Sequence, residues 1–189
     1  QYNRLLFCDS KKRIWAGGEM GISVFNQVGT SLLPNTDFQI ASVLKQAFVN
    51  CFYETSSGYL WIGTRNGLFA LKESDKQFLQ YTTENGLPSN VIYGILEDAY
   101  GRLWISTNQG LSCLNPESGK FRNFTIMDGL QGNQFNAGAY CRKDNGYMLF
   151  GGVNGITSFR PETLIDNPYA PKPVINKLFV HNKEVLSLI

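Results

Sequence analysis

The sequence predicts an all-β protein: a partial β-propeller of about four four-stranded antiparallel blades, followed by the first hairpin of a truncated β-sandwich domain. Three observations carry this expectation. The first is the stretch from Ile95 to Leu114, ILEDAYGRLWISTNQGLSCL, where apolar and polar residues alternate at period two and Gly101 and Gly110 close two turns. The second is its recurrence: Trp15, Trp61, Trp104 and Leu149 mark four copies spaced 46, 43 and 45 residues apart, the period of a propeller blade. The third is a composition with 13% aromatic residues and 19 glycines, which leans towards strands and tight turns.

Taken in order, residues 1–46 form the first blade. Arg4-Leu5-Leu6-Phe7 enters, Trp15 lies on the second strand, and Lys12 stands where the other copies have a turn glycine. Residues 47–89 and 90–133 form the second and third blades, each closing on an aromatic strand, Phe78 to Tyr81 and Phe121 to Phe124. Asn85 to Asn90 and Asp128 to Asn133 are the connectors: glycine turns the chain, leucine plugs the space below, and the terminal asparagine bonds local backbone as an Asx turn. Residues 134–162 form the fourth blade, with Gly146 and Gly155 at its turns. Pro168, Pro171 and Pro173 punctuate a linker over 163–173, and residues 174–189 read as a hairpin turning at Asn182-Lys183. The tryptophan fills the gap between neighbouring sheets, and a glycine two residues on, as Gly63 follows Trp61, makes room on the same face. A meander of this kind buries both faces only between copies of itself.

Charge and side-chain chemistry exclude several classes. A formal net charge of +2 gives no basic stripe for nucleic acid, and Lys11-Lys12-Arg13 reads as a solvated turn tip. No apolar run is long enough for a membrane span, and the chain opens in mid-repeat, as an excerpt of a longer polypeptide would. The four cysteines, Cys8, Cys51, Cys113 and Cys141, show no CxxC pairing and are expected as buried free thiols. Glu54 and Glu97 occupy the same place relative to their tryptophans, which marks them as scaffold. Glu97 and Asp98 are adjacent on one strand and point to opposite faces, so they form no carboxylate dyad. The lone histidine, His181, has no partner at ligand spacing, so no metal site is expected. Gly17-Gly18 and Gly151-Gly152 read as hairpin turns and not as phosphate cradles, because neither opens a helix; no cofactor and no catalytic residue are expected.

The blade string GLPSNVIYGILEDAYGRLWISTNQGLSCLNPESGKFRNF resembles the two-component regulator propeller repeat. The last blade, the proline linker and KPVINKLFVHNKEV are similar to the end of such a propeller running into an immunoglobulin-like domain. Lys12, Leu149 and Gln134, the last where the final-blade pattern commonly has an acid, depart from the repeat. The resemblance implies the periplasmic sensor region of a bacterial hybrid two-component system, an inner-membrane histidine kinase fused to a response regulator, typically controlling polysaccharide-utilisation genes. The ligand expected for such a sensor is an oligosaccharide, and the side chains give no sign of enzyme activity in this segment. The rival classes are a carbohydrate-active enzyme on a propeller scaffold and a protein-interaction propeller.

Blade geometry places the loop after each second strand and the connector into the next blade on one rim. Arg65, Asn66, Asn108, Gln109 and Asn154 come from the loops, with Asn90 and Asn133 from the connectors. Amides and a guanidinium suit a hydroxyl-rich ligand, and the same asparagines also suit left-handed turns. Four blades leave open faces, so self-association, as a homodimer or larger, is expected.

Overall fold

The structure is a computed structural model describing residues 3–35, 44, 46–72, 77–164, 177–181 and 183–187. Seventeen strands form five sheets among the described residues, and every neighbouring pair is antiparallel and consecutive in sequence. The first sheet holds β1 (Asn3–Cys8), β2 (Arg13–Gly18), β3 (Gly21–Val28) and β4 (Ser31–Pro34). The second holds β5 (Val49–Glu54), β6 (Leu60–Thr64), β7 (Gly67–Lys72) and β8 (Gln77–Tyr81). The third holds β9 (Ile92–Glu97), β10 (Leu103–Thr107), β11 (Gly110–Asn115) and β12 (Lys120–Phe124). The fourth holds β13 (Phe135–Arg142), β14 (Met148–Gly152) and β15 (Gly155–Phe159), so among the described residues it has three strands where four were expected. The hairpin of β16 (Lys177–Val180) and β17 (Lys183–Ser187) stands where the sequence places one. Most of the proline linker lies outside the described residues.

Turn chemistry sets the register. Gly58, Gly101 and Gly146 close the turn between the first and second strands with φ of 81°, 73° and 84°. Lys12 takes the same place with φ 60°, so the departure noted in the sequence keeps the left-handed geometry at the steric cost a side chain brings there. The second turn closes on Gly67, Gly110 and Gly155, with φ of 115°, 114° and 127°.

The sheets are blades. Their first strands touch in series, β1 on β5, β5 on β9 and β9 on β13. Each tryptophan packs towards the following blade. Trp15 meets Phe52, with ring centroids 6.3 Å apart, and Trp104 meets Phe159 at 4.6 Å. Trp61 shares a cluster with Ile92 and Ile95 of the third blade. Glycines let the sheets approach: a Cβ on Gly17 would stand 2.8 Å from the Phe52 ring, and one on Gly63 would stand 2.7 Å from Ile92 Cγ2. At the third seam the missing side chain moves to the first strand, where Gly94, paired with Ser106, lies under the ring of Tyr140.

Three expectations are corrected. Gly17-Gly18 and Gly151-Gly152 end strands β2 and β14 and are not turns; Gly17 serves the approach of the next blade, and Gly152 sits hard against the Gln134 carbonyl and the Gln131 side chain. Arg13 is no solvated tip, because its Nε donates at 2.6 Å to the buried Asp9, whereas Lys11 and Lys12 are exposed. Of the four free thiols only Cys51 and Cys113 are buried. Those two face seams between blades. Cys8 follows Phe7, which packs on Phe52, and Cys141 follows Tyr140, which packs on Gly94, so alternation turns both thiols to uncovered sheet faces.

Candidate functional site: two rims of the blade array

A carboxylate missed in the sequence organises one rim. Six residues before the tryptophan, Asp9 and Asp98 are buried at the start of the first turn. Asp98 Oδ2 accepts from Trp104 Nε1 at 3.0 Å and from Arg102 Nε at 2.7 Å, while Oδ1 accepts from the backbone N–H of Tyr100 and Arg102. Asp9 repeats the pattern with Trp15, Arg13 and Lys11. Burial pushes the Asp9 carboxyl up, but the hydrogen bonds from Trp15 and Arg13 and the Arg13 charge outweigh it and hold it below its ordinary value of 3.8. The spacing D-x-x-x-R-x-W was visible in the sequence at both places.

In the second blade Thr55 stands for the aspartate and Tyr59 for the arginine. The Thr55 hydroxyl donates to the Tyr59 carbonyl and shares a bond with Ser57, and Trp61 Nε1 is buried without an acceptor. In the fourth blade Lys143 and Leu149 replace both members together.

The glutamates at the end of each first strand reach backwards. Glu54 accepts from the backbone N–H and hydroxyl of Ser10, both at 2.7 Å, and Glu97 does the same to Ser56, both at 3.0 Å. Each clasp joins one blade's first turn to the next blade. This bears out their scaffold role and the opposite orientation of Glu97 and Asp98. At the next seam Ala99 and Arg142 replace serine and glutamate together, and Arg142 donates instead to the Glu97 carbonyl at 2.9 Å.

The opposite rim holds the residues proposed from the sequence. Thr64 and Thr107 each accept from the turn N–H of Asn66 and Gln109 and donate to the carbonyl of Gly67 and Gly110, which fixes these loops. Each connector lies against the loop before it, for Gly67 N–H donates to the Asn90 carbonyl and Gly110 N–H to the Asn133 carbonyl. The loop and the connector therefore share a rim, as expected. Arg65 stacks 3.7 Å over the Phe48 ring. Asn66 and Gln109 are exposed, and Asn154 is exposed with its N–H bonded to Gln131 Oε1. Asn108 carries a buried Oδ1 with no partner.

Asn90 and Asn133 act differently from the Asx turn expected. Each Oδ1 accepts at 2.8 Å from the N–H seven residues earlier, on Thr83 and Ile126, where a 3-10 turn opens behind a capping box. The asparagine thus ties the whole connector. The loop of Asn66 meets the connector of Asn90 between the second and third blades, and the loop of Asn108 and Gln109 meets that of Asn133 between the third and fourth, whereas the Arg65 side chain turns to Phe48, whose ring also faces Arg4 of the first blade. Asn154 borders the Asn133 connector through Gln131 and Gly132.

Residues 44–66 and 86–109, which hold the marker tryptophans and the rim loops of the second and third blades, match the model of the two component regulator propeller. These segments are two-component regulator propeller repeats. Histidine kinase P4 of Formosa agariphila is 31% identical over 188 residues, an alignment that covers 96% of this chain and 14% of that protein. The solved extracellular domain of a protein described as a hybrid two component system from B. thetaiotaomicron is 27% identical, with a TM-score of 0.81 over 93% of this chain and 24% of its own. A virginiamycin B lyase from Staphylococcus aureus, at 18% identity and a TM-score of 0.57, covering 84% of this chain and 55% of its own, shares the fold alone. The repeats are of the kind found in extracellular domains of two-component systems, and the chain spans only 14% of the kinase and 24% of the solved extracellular domain. No helix among the described residues is long and apolar enough to cross a membrane.

Proposed function

We propose that the chain is part of the extracytoplasmic, periplasmic sensor region of a hybrid two-component signalling protein. In this reading the rim of Arg65, Asn66, Asn90, Asn108, Gln109, Asn133 and Asn154 recognises an oligosaccharide and the parent protein controls polysaccharide-utilisation genes. The segment itself carries no catalysis, and the kinase lies elsewhere in the parent. One observation carries the rim assignment: Asn108 Oδ1 is buried on this rim with no donor of its own, and a ligand hydroxyl supplies one. The amides beside it and Arg65 over Phe48 add donors and an aromatic edge. Binding signals only through a difference in affinity between two arrangements of the sensor.

Calorimetry with a panel of short neutral oligosaccharides tests this. The expected result is saturable heat without product formation, lost in Arg65→Ala/Asn108→Ala. Absence of heat with every member, or heat unchanged in the double variant, overturns it; product formation would place the chain with the propeller enzymes. The outer faces of the first and fourth blades expose Leu6 (76%) and Ile156 (66%), and we propose that the isolated chain self-associates through them. Light scattering at rising concentration is expected to show a mass above that of one chain, and a constant monomer mass contradicts it.

A further inference from the structure

The two seams that carry glutamate clasps form clefts of unlike character. Between the first and second blades a cleft of about 230 Å³ is lined by Asp9, Arg13, Glu54 and Lys72, charges of both signs that include the Asp9–Arg13 pair. Between the second and third blades a cleft of about 340 Å³ is lined by Tyr59, Trp61, Tyr81, Tyr100, Glu97 and Asn115. This volume lies at the lower end of the roughly 300–1,000 Å³ that small-molecule sites span. The cleft opens among the first-strand and third-strand turns, on the rim opposite Arg65 and Asn108.

We infer that this second cleft is a binding site for a neutral, polyhydroxylated ring of the pyranose type. The second blade differs from its neighbours around its tryptophan. Where its neighbours place an aspartate and an arginine that satisfy the tryptophan from within, it has Thr55 and Tyr59. The result is an aromatic slab, Trp61 between Tyr59 at 6.0 Å and Tyr81 at 5.9 Å, with Tyr100 largely exposed at the mouth. Tyrosine faces take the C–H face of a sugar ring. Trp61 is 2% exposed, and its indole N–H, unlike those of Trp15 and Trp104, has no acceptor. A ring hydroxyl oxygen that reaches it removes the penalty of an unpaired buried donor. Glu97 holds Ser56 with one bond to each carboxylate oxygen, which leaves lone pairs for ligand hydroxyls. Glu97 and Glu117 line the cleft directly, whereas the cations at its edge stand behind its rings: Lys72 Nζ lies 5.1 Å from the Tyr59 ring centroid, and Arg102, 5.1 Å from that of Tyr100, is already paired with Asp98, so a neutral sugar is favoured over an anionic one.

This site is independent of the rim described under the proposed function, and one experiment separates them. In the ¹⁵N-labelled chain the three tryptophans give three indole N–H signals, with that of Trp61 assigned through Trp61→Phe. Methyl glucoside, methyl galactoside, methyl mannoside and methyl glucuronide are titrated into the millimolar range. At least one neutral glycoside is expected to shift the Trp61 signal and leave those of Trp15 and Trp104 in place, with the glucuronide inactive. Thr55→Asp/Tyr59→Arg, which installs the arrangement of the neighbouring blades, is expected to weaken this response at least about tenfold. Tyr100→Ala, at an exposed position, weakens it several-fold without disturbing the fold. Arg65→Ala/Asn108→Ala leaves it unchanged, so loss of rim binding and loss of this site are told apart. A Trp61 signal that no neutral glycoside moves, or a shift that survives Thr55→Asp/Tyr59→Arg, overturns the inference.

Discussion

Asp98→Ala is the sharpest probe of how a blade holds its tryptophan. The substitution removes the acceptor for Trp104 Nε1, Arg102 Nε and the N–H groups of Tyr100 and Arg102. Trp104 is 2% exposed, so water does not replace the lost bond and the stranded indole donor alone costs about 1–3 kcal/mol. The Arg102 side chain is 31% exposed and recovers part of its solvation, which limits the ionic share. The sum is about 3–4 kcal/mol, near the lower end for breaking a buried pair. Urea denaturation of the wild type, Asp98→Ala, Trp104→Phe and the double variant measures it, and the cycle isolates the Asp98–Trp104 coupling at about 1–2 kcal/mol. Trp61 supplies the control. Its N–H has no acceptor, so Trp61→Phe removes a liability as well as packing and costs less than Trp104→Phe. Additive single costs to within about 0.5 kcal/mol, or equal costs for the two tryptophans, would refute the reasoning.

Three further outcomes follow from the same contacts. Gly63→Ala puts a Cβ 2.7 Å from Ile92 Cγ2 and against Cys51, and by overpacking the seam it costs about 1–3 kcal/mol in the same urea assay. At dilution, where the outer faces of the first and fourth blades are free, a thiol reagent labels Cys8 and Cys141 in the native chain and reaches Cys51 and Cys113 only on unfolding, since burial pushes those thiols up to about 12 and about 11; mass spectrometry counts the adducts. Asp9 has a depressed folded pKa, so its stabilisation is complete above its ordinary value of 3.8 and fades as pH falls through the lower folded value. Thermal melts of Asp9→Asn and wild type should therefore differ at neutral pH and converge in acid.

Much of the fold was legible because a blade is a local object. Period-two alternation, a glycine at each turn and the recurring tryptophan all lie within some 20 residues of one another, and Lys12 and Leu149 were visible as departures. What links blades was harder to see. The Ser10–Glu54 and Ser56–Glu97 clasps span 44 and 41 residues, and neither member is unusual until the strand register is known. The exposure of Cys8 and Cys141 depends on which sheet faces lack a neighbour, which alternation alone does not tell. That the second-strand loops and the connectors lie together was legible because loop order follows from meander topology, yet the roles of their asparagines divided. Asn90 and Asn133 hold connectors, a task set by a 3-10 turn that no hydrophobic pattern announces, while Asn108 keeps an unused oxygen. The Asp9–Trp15 and Asp98–Trp104 pairing could have been found from its repeated spacing, and with it the anomaly at Thr55 that distinguishes the second seam.

Every site described above depends on blades that meet face to face with a bare glycine at the seam. Nuclear Overhauser contacts across the third seam test this most directly, because Gly94 and Tyr140 lie 46 residues apart and belong to different sheets. Strong cross-peaks between the Gly94 α-protons and the Tyr140 ring, with the former shifted upfield by the ring current, are the expected result. Gly94 α-protons at random-coil positions with no contact to Tyr140 would contradict it.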